Sequence, residues 1–438
     1  MPAPHTATRR RNGGASPLAR LLAAPALAGY HTALTAPGAR GPVMFSLLAR
    51  IPTAMIGLAM LLYVRTTTGS FATAGLVSAA VLVGVAAGSV GQGRVIDRFG
   101  PTRPLLVVTT VFAAAIATVV VAVQLGSPTP LLVIIGFLTG LSQPAVGAAS
   151  RSTWSQLVPD GPVRQAALAY EAISFEAFYI LGPALAGVLL YAPWAGTGVV
   201  VGAGLMVAGG VGFALTDTVR SWGPAPAGAV HPRGFGALRT PGMRTLAIAA
   251  LGFGAVIGFV EVGVPAVTAA AGRPALSGLL LGLWSVSSVA FGIVYGTRPW
   301  PRPMHLRLPF LLATFALLVP LLAVPSSLWG LAVALLVTGV VITPQSAAHS
   351  AAIDTAARAG THTEAFGWIL TAITLGLAGG ESVSGQLVEH AGPDAAFLAA
   401  GVVGLVMAAV VAARRGTLAP PTTDAPPDPD HSASPTPS

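Results

Sequence analysis

Five ionisable residues stand inside long apolar stretches of this sequence: Arg50, Glu171, Glu176, Glu261 and Glu381. An ionised side chain at the centre of a bilayer costs at least about 2.5–3.5 kcal/mol. Such residues therefore face a cavity or a partner, and they are candidates for moving protons. Arg50 and Glu176 fall at similar depth in helices running the same way at about 1.5 Å per residue, and an ion pair between them is expected. A carboxylate whose partner changes with conformation changes its affinity for a proton, which is how a proton gradient couples to transport; a static structural pair is the alternative. Glu171 is about 140° around the helix from Glu176 and is expected to pair with Arg151 or Arg164 near the cytoplasmic end. Glu261 and Glu381 are expected in the outer third of their helices, within reach of external water or snorkelling to it. Trp284 is placed to stack on a substrate or cation, or simply to pack. Gln143 and Gln345 suit a polar, uncharged ligand, or a bond between helices.

These positions acquire meaning from the stretches that hold them. Only 8% of the 438 residues are charged and 54% are hydrophobic, whereas a soluble domain averages about 25% charged residues. Too little polar surface remains to face water, and hydrocarbon removes the problem. A span needs about 20 mostly apolar residues. Such stretches run over 43–63, 73–92, 104–124, 130–150, 168–190, 195–215, 244–266, 275–296, 308–326, 329–352, 366–387 and 395–412. The expected fold is all-α, about twelve transmembrane helices in two pseudo-symmetric six-helix bundles. The expected organisation is a basic cytoplasmic tail over 1–41, one bundle over 42–215, a cytoplasmic linker over 216–243, a second bundle over 244–412 and a disordered tail over 413–438. Gly140 and Pro144 in the fourth span are matched by Gly339 and Pro344 in the tenth, a weak sign of repeated halves.

The basic residues are all arginine; there is no lysine. With the N-terminus inside, the loop arginines fall on the cytoplasmic side except Arg65 and Arg273, a strong positive-inside bias that puts both ends in the cytoplasm. Trp194 and Trp329 sit at expected external interfaces, and Trp154 near an internal one. The net charge of +9 reads as loop arginine rather than nucleic-acid binding.

The loop between the second and third spans reads Gly93-Arg94-Val95-Ile96-Asp97-Arg98-Phe99-Gly100-Pro101-Thr102-Arg103. It resembles the signature loop of the major facilitator superfamily, with Pro101 and Thr102 where basic residues are common. Gly93 and Gly100 allow tight turning, and Asp97 is the one acid among Arg94, Arg98 and Arg103. The resemblance implies that Asp97 takes part in closing the cytoplasmic side; local charge balance is the other reading. Gly182-Pro183-Ala184-Leu185-Ala186-Gly187 in the fifth span resembles the end of the antiporter motif of proton-coupled exporters, with Phe178 in place of its upstream glycine. The intramembrane arginine often found in the fourth span of such proteins is absent. The resemblance implies a secondary transporter working by alternating access, in a bacterial cytoplasmic membrane, moving a small molecule with protons. Export is the expected direction, with uptake symport and a non-transporting receptor as alternatives.

Enzyme chemistry finds little support. His349 with Asp354, and His390 with Asp394, have spacings that recur by chance. A phosphate-binding loop needs a lysine the chain lacks. There is no cysteine for a thiolate site or nucleophile, no zinc signature and no Gly-x-Ser-x-Gly elbow. No cofactor and no metal are expected.

Overall fold

A chain in hydrocarbon must satisfy its backbone polar groups internally, and helices do so within one segment. In the computed structural model the described residues are 25–159, 161–222, 237–297, 303–357 and 362–418, and they form helices without strands. In chain order these are α1 (Pro25–Leu34), α2 (Arg40–Thr68), α3 (Phe71–Phe99), α4 (Thr102–Gln124), α5 (Thr129–Leu141), α6 (Val146–Leu157), α7 (Pro162–Leu189), α8 (Thr197–Leu215), α9 (Asp217–Arg220), α10 (Pro241–Ala270), α11 (Leu276–Thr297), α12 (Met304–Leu318), α13 (Leu328–Gly339), α14 (Ile342–Ala356), α15 (His362–Ala391) and α16 (Pro393–Ala413). Among the described residues, ten helical segments are long and apolar enough to cross a membrane, counting α5 with α6 and α13 with α14 as one each; α7 and α11 contribute the shorter apolar stretches Ile180–Leu189 and Leu276–Gly292. Val107, Leu138, Leu317 and Val402 are exposed on helix surfaces. Their number and position suit a lipid solvent.

Turn chemistry sets the short connections. Gly69, with φ 78°, ends α2, and the Ser70 hydroxyl accepts from the Thr73 amide at 3.1 Å to start α3. Thr240 and Ser327 cap α10 and α13 in the same way. The sequence boundaries shift in two places. Residues 25–34 of the expected N-terminal tail are helical; Ala33 and the following Ala39 pack with Trp154, Val158 and Ala167. The seventh span begins at Pro241 rather than 244, and α9 lies at the start of the linker.

The fourth and tenth spans are each broken in two, near the Gly-Pro pairs that matched in the sequence. A break strands backbone groups, and a neighbouring helix supplies partners in both halves. Gln92 of α3 donates through Nε2 to the carbonyls of Leu141 at 3.2 Å and Gln143 at 2.8 Å, while its Oε1 accepts from the Ala145 amide at 2.9 Å. In the second half Ser288 of α11 accepts from the Thr343 amide at 3.1 Å, and the two hydroxyls lie 2.7 Å apart. Gly140 packs directly on the Val81 carbonyl and Gly339 on that of Trp284. The second helix of each half thus braces the broken fourth.

The two halves meet along two helix pairs, α3 with α15 and α7 with α11. Both seams are lined by glycine. A Cβ on Gly75 would lie 3.2 Å from the Gly385 Cα, and one on Gly187 would lie 3.0 Å from the Gly278 Cα. Both contacts are at the arginine-poor end, which holds Arg65 and Arg273. At the arginine-rich end the Arg151 guanidinium lies 5.8 Å from the Phe366 ring centroid.

Candidate functional site

Between the halves lies a cavity of about 250 Å³, roofed at the arginine-poor end by the glycine seams. Its walls come from both halves: Gly57, Leu58 and Leu61 of α2 and Leu82 of α3 on one side, Phe253 of α10 and Trp284 of α11 on the other. Trp284 is 4% exposed and stacks on Phe315, ring centroids 6.3 Å apart. It is therefore a packed residue that also fronts the cavity.

Glu261 of α10 and Glu381 of α15 both line this cavity. Expected separately, they are brought within hydrogen-bonding reach of each other. The reason is close helix approach: Gly258 on α10 would meet Gly380 Cα at 3.1 Å if it carried a Cβ, so the turns bearing the two acids are nearly in backbone contact. Glu381 is 3% exposed, and the buried Ser78 hydroxyl lies within hydrogen-bonding reach of its carboxyl as well. A hydrogen bond between two carboxyl groups requires that one of them carry a proton, because an ionised carboxylate only accepts.

The expected Arg50–Glu176 pair falls on a side chain outside the described residues, and the partner seen for Arg50 is Glu171. Arg50 forms a buried ion pair with Glu171 and also donates through Nη2 to the Glu171 carbonyl at 3.2 Å. Glu171 Oε1 accepts from the Ser150 hydroxyl at 2.8 Å and from Trp154 Nε1 at 2.9 Å. Neither Arg151 nor Arg164 is the partner found for Glu171, and Trp154 is a buried donor rather than an interfacial residue. The Glu176 side chain lies outside the described residues. In an α-helix the Cα–Cβ bond leans toward the N-terminus. Arg50 therefore reaches back toward the arginine-rich end, where Glu171 lies five residues before Glu176. With both oxygens accepting, Glu171 ties α2, α6 and α7 into one block.

The Major Facilitator Superfamily model matches residues 43–361. The chain belongs to the major facilitator superfamily. It is thus a multi-pass membrane transporter and not an enzyme. The solved nucleoside transporter NupG aligns at a TM-score of 0.68 and 13% identity, covering 85% of this chain and 98% of its own. A bacterial homologue of the human lysosomal transporter Spinster, solved in an inward-facing and unoccupied conformation, aligns at 0.68 and 12%, covering 89% and 98%. The human organic anion transporter MFSD10 aligns at 0.57 and 15%, covering 86% and 99%. These likenesses concern the fold. No curated protein matches the chain.

In this superfamily member the signature loop closes α3 and opens α4. Gly100 takes φ 77°, a left-handed conformation that glycine adopts without strain. Gly93 has open space around it. Arg98 is exposed over the Phe99 ring at 5.2 Å, and Arg103 is exposed. The Asp97 side chain lies outside the described residues. The three residues of the antiporter-like stretch are packing positions: Gly182 abuts Ala54 and Met55 of α2, Pro183 lines the cavity and presents its carbonyl to Gly278, and Gly187 sits in the α7–α11 seam. Gln143 is half-buried at the break of the fourth span, where its carbonyl accepts from Gln92. Gln345 is fully buried, and neither of its amide atoms has a hydrogen-bond partner among the described residues. The Asp354 side chain is outside the described residues, and His390 bonds to the Gln386 carbonyl of its own helix.

Sequence reasoning passed over Glu389. Its Oε2 accepts from the Phe71 amide at 2.8 Å and the Ala72 amide at 3.4 Å, capping α3 from the opposite half. The signal was present: an acid in the last turn of a helix opposes the macrodipole of that helix, and a second helix N-terminus relieves it. Gln92, Ser78 and Ser288 were missed because neutral polar residues in apolar runs carry no charge signal.

Proposed function

We propose that this superfamily member exports a small molecule from a bacterial cell by alternating access, driven by protons that enter through the Glu261–Glu381 pair. The observation that carries the coupling is the convergence of two carboxyls on one cavity wall, within hydrogen-bonding reach of each other. A proton held between them removes the adjacency of two like charges. Its loss to the opposite side, when residues 42–215 rock against 244–412, makes the cycle depend on the gradient. The arginine bias supports a cytoplasmic location for both termini, so the glycine-sealed end faces outward and the cavity inward. In the opposite state the signature loop, with Asp97 beside Arg98 and Arg103, closes the cytoplasmic side. The buried Arg50–Glu171 network is structural in this scheme. Export is supported by the placement of Pro183 and Gly187, from the antiporter-like stretch, at the seam that must part. The same acid pair serves an uptake symporter, and the sign of gradient-driven flux separates the two.

Purified protein in liposomes under an imposed pH gradient, with a panel of candidate compounds, tests the coupling. Glu381→Gln is expected to leave exchange in the absence of a gradient intact and to abolish gradient-driven accumulation. Accumulation that still follows pH in Glu381→Gln and in Glu261→Gln would overturn the assignment. Alternation itself needs no ligand to be seen. The chain is free of cysteine, so spin labels at Thr66→Cys and His390→Cys report the distance across the outer end. One unvarying distance population at every pH would refute rocking.

A further inference from the structure

On the flank of the N-terminal half, toward the arginine-rich end, a furrow of about 500 Å³ runs between α3 and α4. Ala87, Gly91 and Val95 of α3 and Val107 and Val108 of α4 line it, and Leu141 lies at its Ala87 end. Small residues keep it clear: a Cβ on Gly91 would meet open space. Val95 and Val107 are 44% and 62% exposed, so the furrow is open on the side that hydrocarbon covers. Gln92 also lines it, but the Gln92 amide is taken up by the backbone of the broken fourth span. From Ala87 to Phe99 the furrow follows α3 for about 18 Å, at 1.5 Å per residue. One leaflet of a hydrocarbon core about 30 Å thick is about 15 Å deep, a close match.

The other end of the furrow is cationic. Arg103 lines it and is exposed. Phe99 lines it too, and the Arg98 guanidinium lies 5.2 Å from the centroid of the Phe99 ring. Asp97 is the one acid between positions 93 and 103, against Arg94, Arg98 and Arg103, so this stretch keeps a net charge of +2 wherever the carboxylate turns. Helix α4 begins here. Its N-cap, Pro101, has no side chain to accept from the free amides, and no acid sits in the first turn. The positive end of the helix dipole therefore adds to the attraction for an anion. We propose that the furrow binds a phospholipid with an anionic headgroup. One acyl chain lies between α3 and α4, and the phosphate meets Arg98, Arg103 and the start of α4. An apolar length of one leaflet with charge confined to one end suits a lipid rather than a soluble phosphate. Each arginine beside such a headgroup contributes about fivefold in affinity.

Native mass spectrometry of the purified full chain, stripped of lipid in detergent and mixed with phosphatidylglycerol or phosphatidylcholine of the same acyl chains, tests the site. The first phosphatidylglycerol is expected to bind about tenfold more tightly than the first phosphatidylcholine. Replacing Arg98→Gln and Arg103→Gln together is expected to remove most of that preference. Arg273→Gln, at an exposed arginine of the opposite end, is expected to leave it unchanged. Gly91→Leu fills the furrow and is expected to weaken the first phosphatidylglycerol severalfold. Its lipid-free melting temperature should be unchanged or higher, because the new side chain meets open space and glycine within a helix is unfavourable. Glycerol 3-phosphate carries the phosphate without a chain and is expected not to displace the lipid. Equal binding of the two lipids, unaltered binding in the double arginine variant or in Gly91→Leu, or an equal loss in Arg273→Gln would each overturn the proposal. So would displacement by glycerol 3-phosphate at concentrations comparable to the lipid, which would make the site one for free phosphate. A lowered melting temperature in Gly91→Leu would overturn it as well, since the chain itself would then fill the furrow.

Discussion

Removing the Glu389 carboxylate should loosen the outer end of the molecule by a predictable amount. This side chain accepts from the first two amides of α3 at 2.8 and 3.4 Å and belongs to α15, so the contact exists only while the halves are together at that end. A side-chain cap at a helix N-terminus contributes about 0.5–2 kcal/mol, and a negative charge there adds about 0.3–1 kcal/mol at low salt. Glu389 is exposed, which favours the lower part of each range. One of its two bonds is long, so about 1 kcal/mol is the working figure. With 1.4 kcal/mol equal to tenfold, Glu389→Ala should raise the ratio of outer-open to outer-closed molecules about fivefold. Glu389→Gln keeps an acceptor and loses the charge, so a smaller shift is expected. The Thr66–His390 spin-label pair reads both populations directly by double electron–electron resonance. Raising the salt concentration should narrow the difference between wild type and Glu389→Gln, because screening weakens the charge contribution. An unchanged distance distribution in Glu389→Ala, or a shift toward the closed population, would refute the capping argument.

Two further outcomes follow from packing. Breaking one partner of the buried Arg50–Glu171 pair should cost about 3–5 kcal/mol, whereas replacing both by leucine should recover much of the loss, as read from melting temperatures of Arg50→Leu, Glu171→Leu and the double variant. Equal destabilisation in the double variant and in the worse single one would count against a pair that is mainly structural. Gly187→Val should prevent closure of the α7–α11 seam, because its new side chain meets the Gly278 backbone and the Ala275 carbonyl. The expected readout is loss of the short Thr66–His390 distance together with loss of flux, and retention of the short distance would refute it.

Hydropathy made the helices legible, and arginine placement gave their expected direction, because both depend on residue type against a uniform solvent. The brace across the broken spans was half visible: Gly140 with Pro144 and Gly339 with Pro344 marked the breaks, while Gln92 and Ser288 were silent. The acids show where such reading stops. Depth along a helix narrows the choice of partner without deciding it: Arg50 reaches Glu171, while the Glu176 side chain lies outside the described residues. Glu261 and Glu381 are 120 residues apart, and their meeting depends on glycines at 258 and 380 letting two backbones touch. Glycine is so frequent here, 53 in all, that the sequence alone does not distinguish those that bring acids together.

The glycine seams have a consequence for the effort of opening. Backbone laid on backbone is held by dispersion over a narrow strip, with few interlocked side chains to be withdrawn and repacked. Two smooth faces of this sort separate and rejoin without hunting for matching rotamers. Direction is then left to the few charged or capped contacts at the rim, so small chemical events, such as a proton arriving or a cap releasing, suffice to tip a large body.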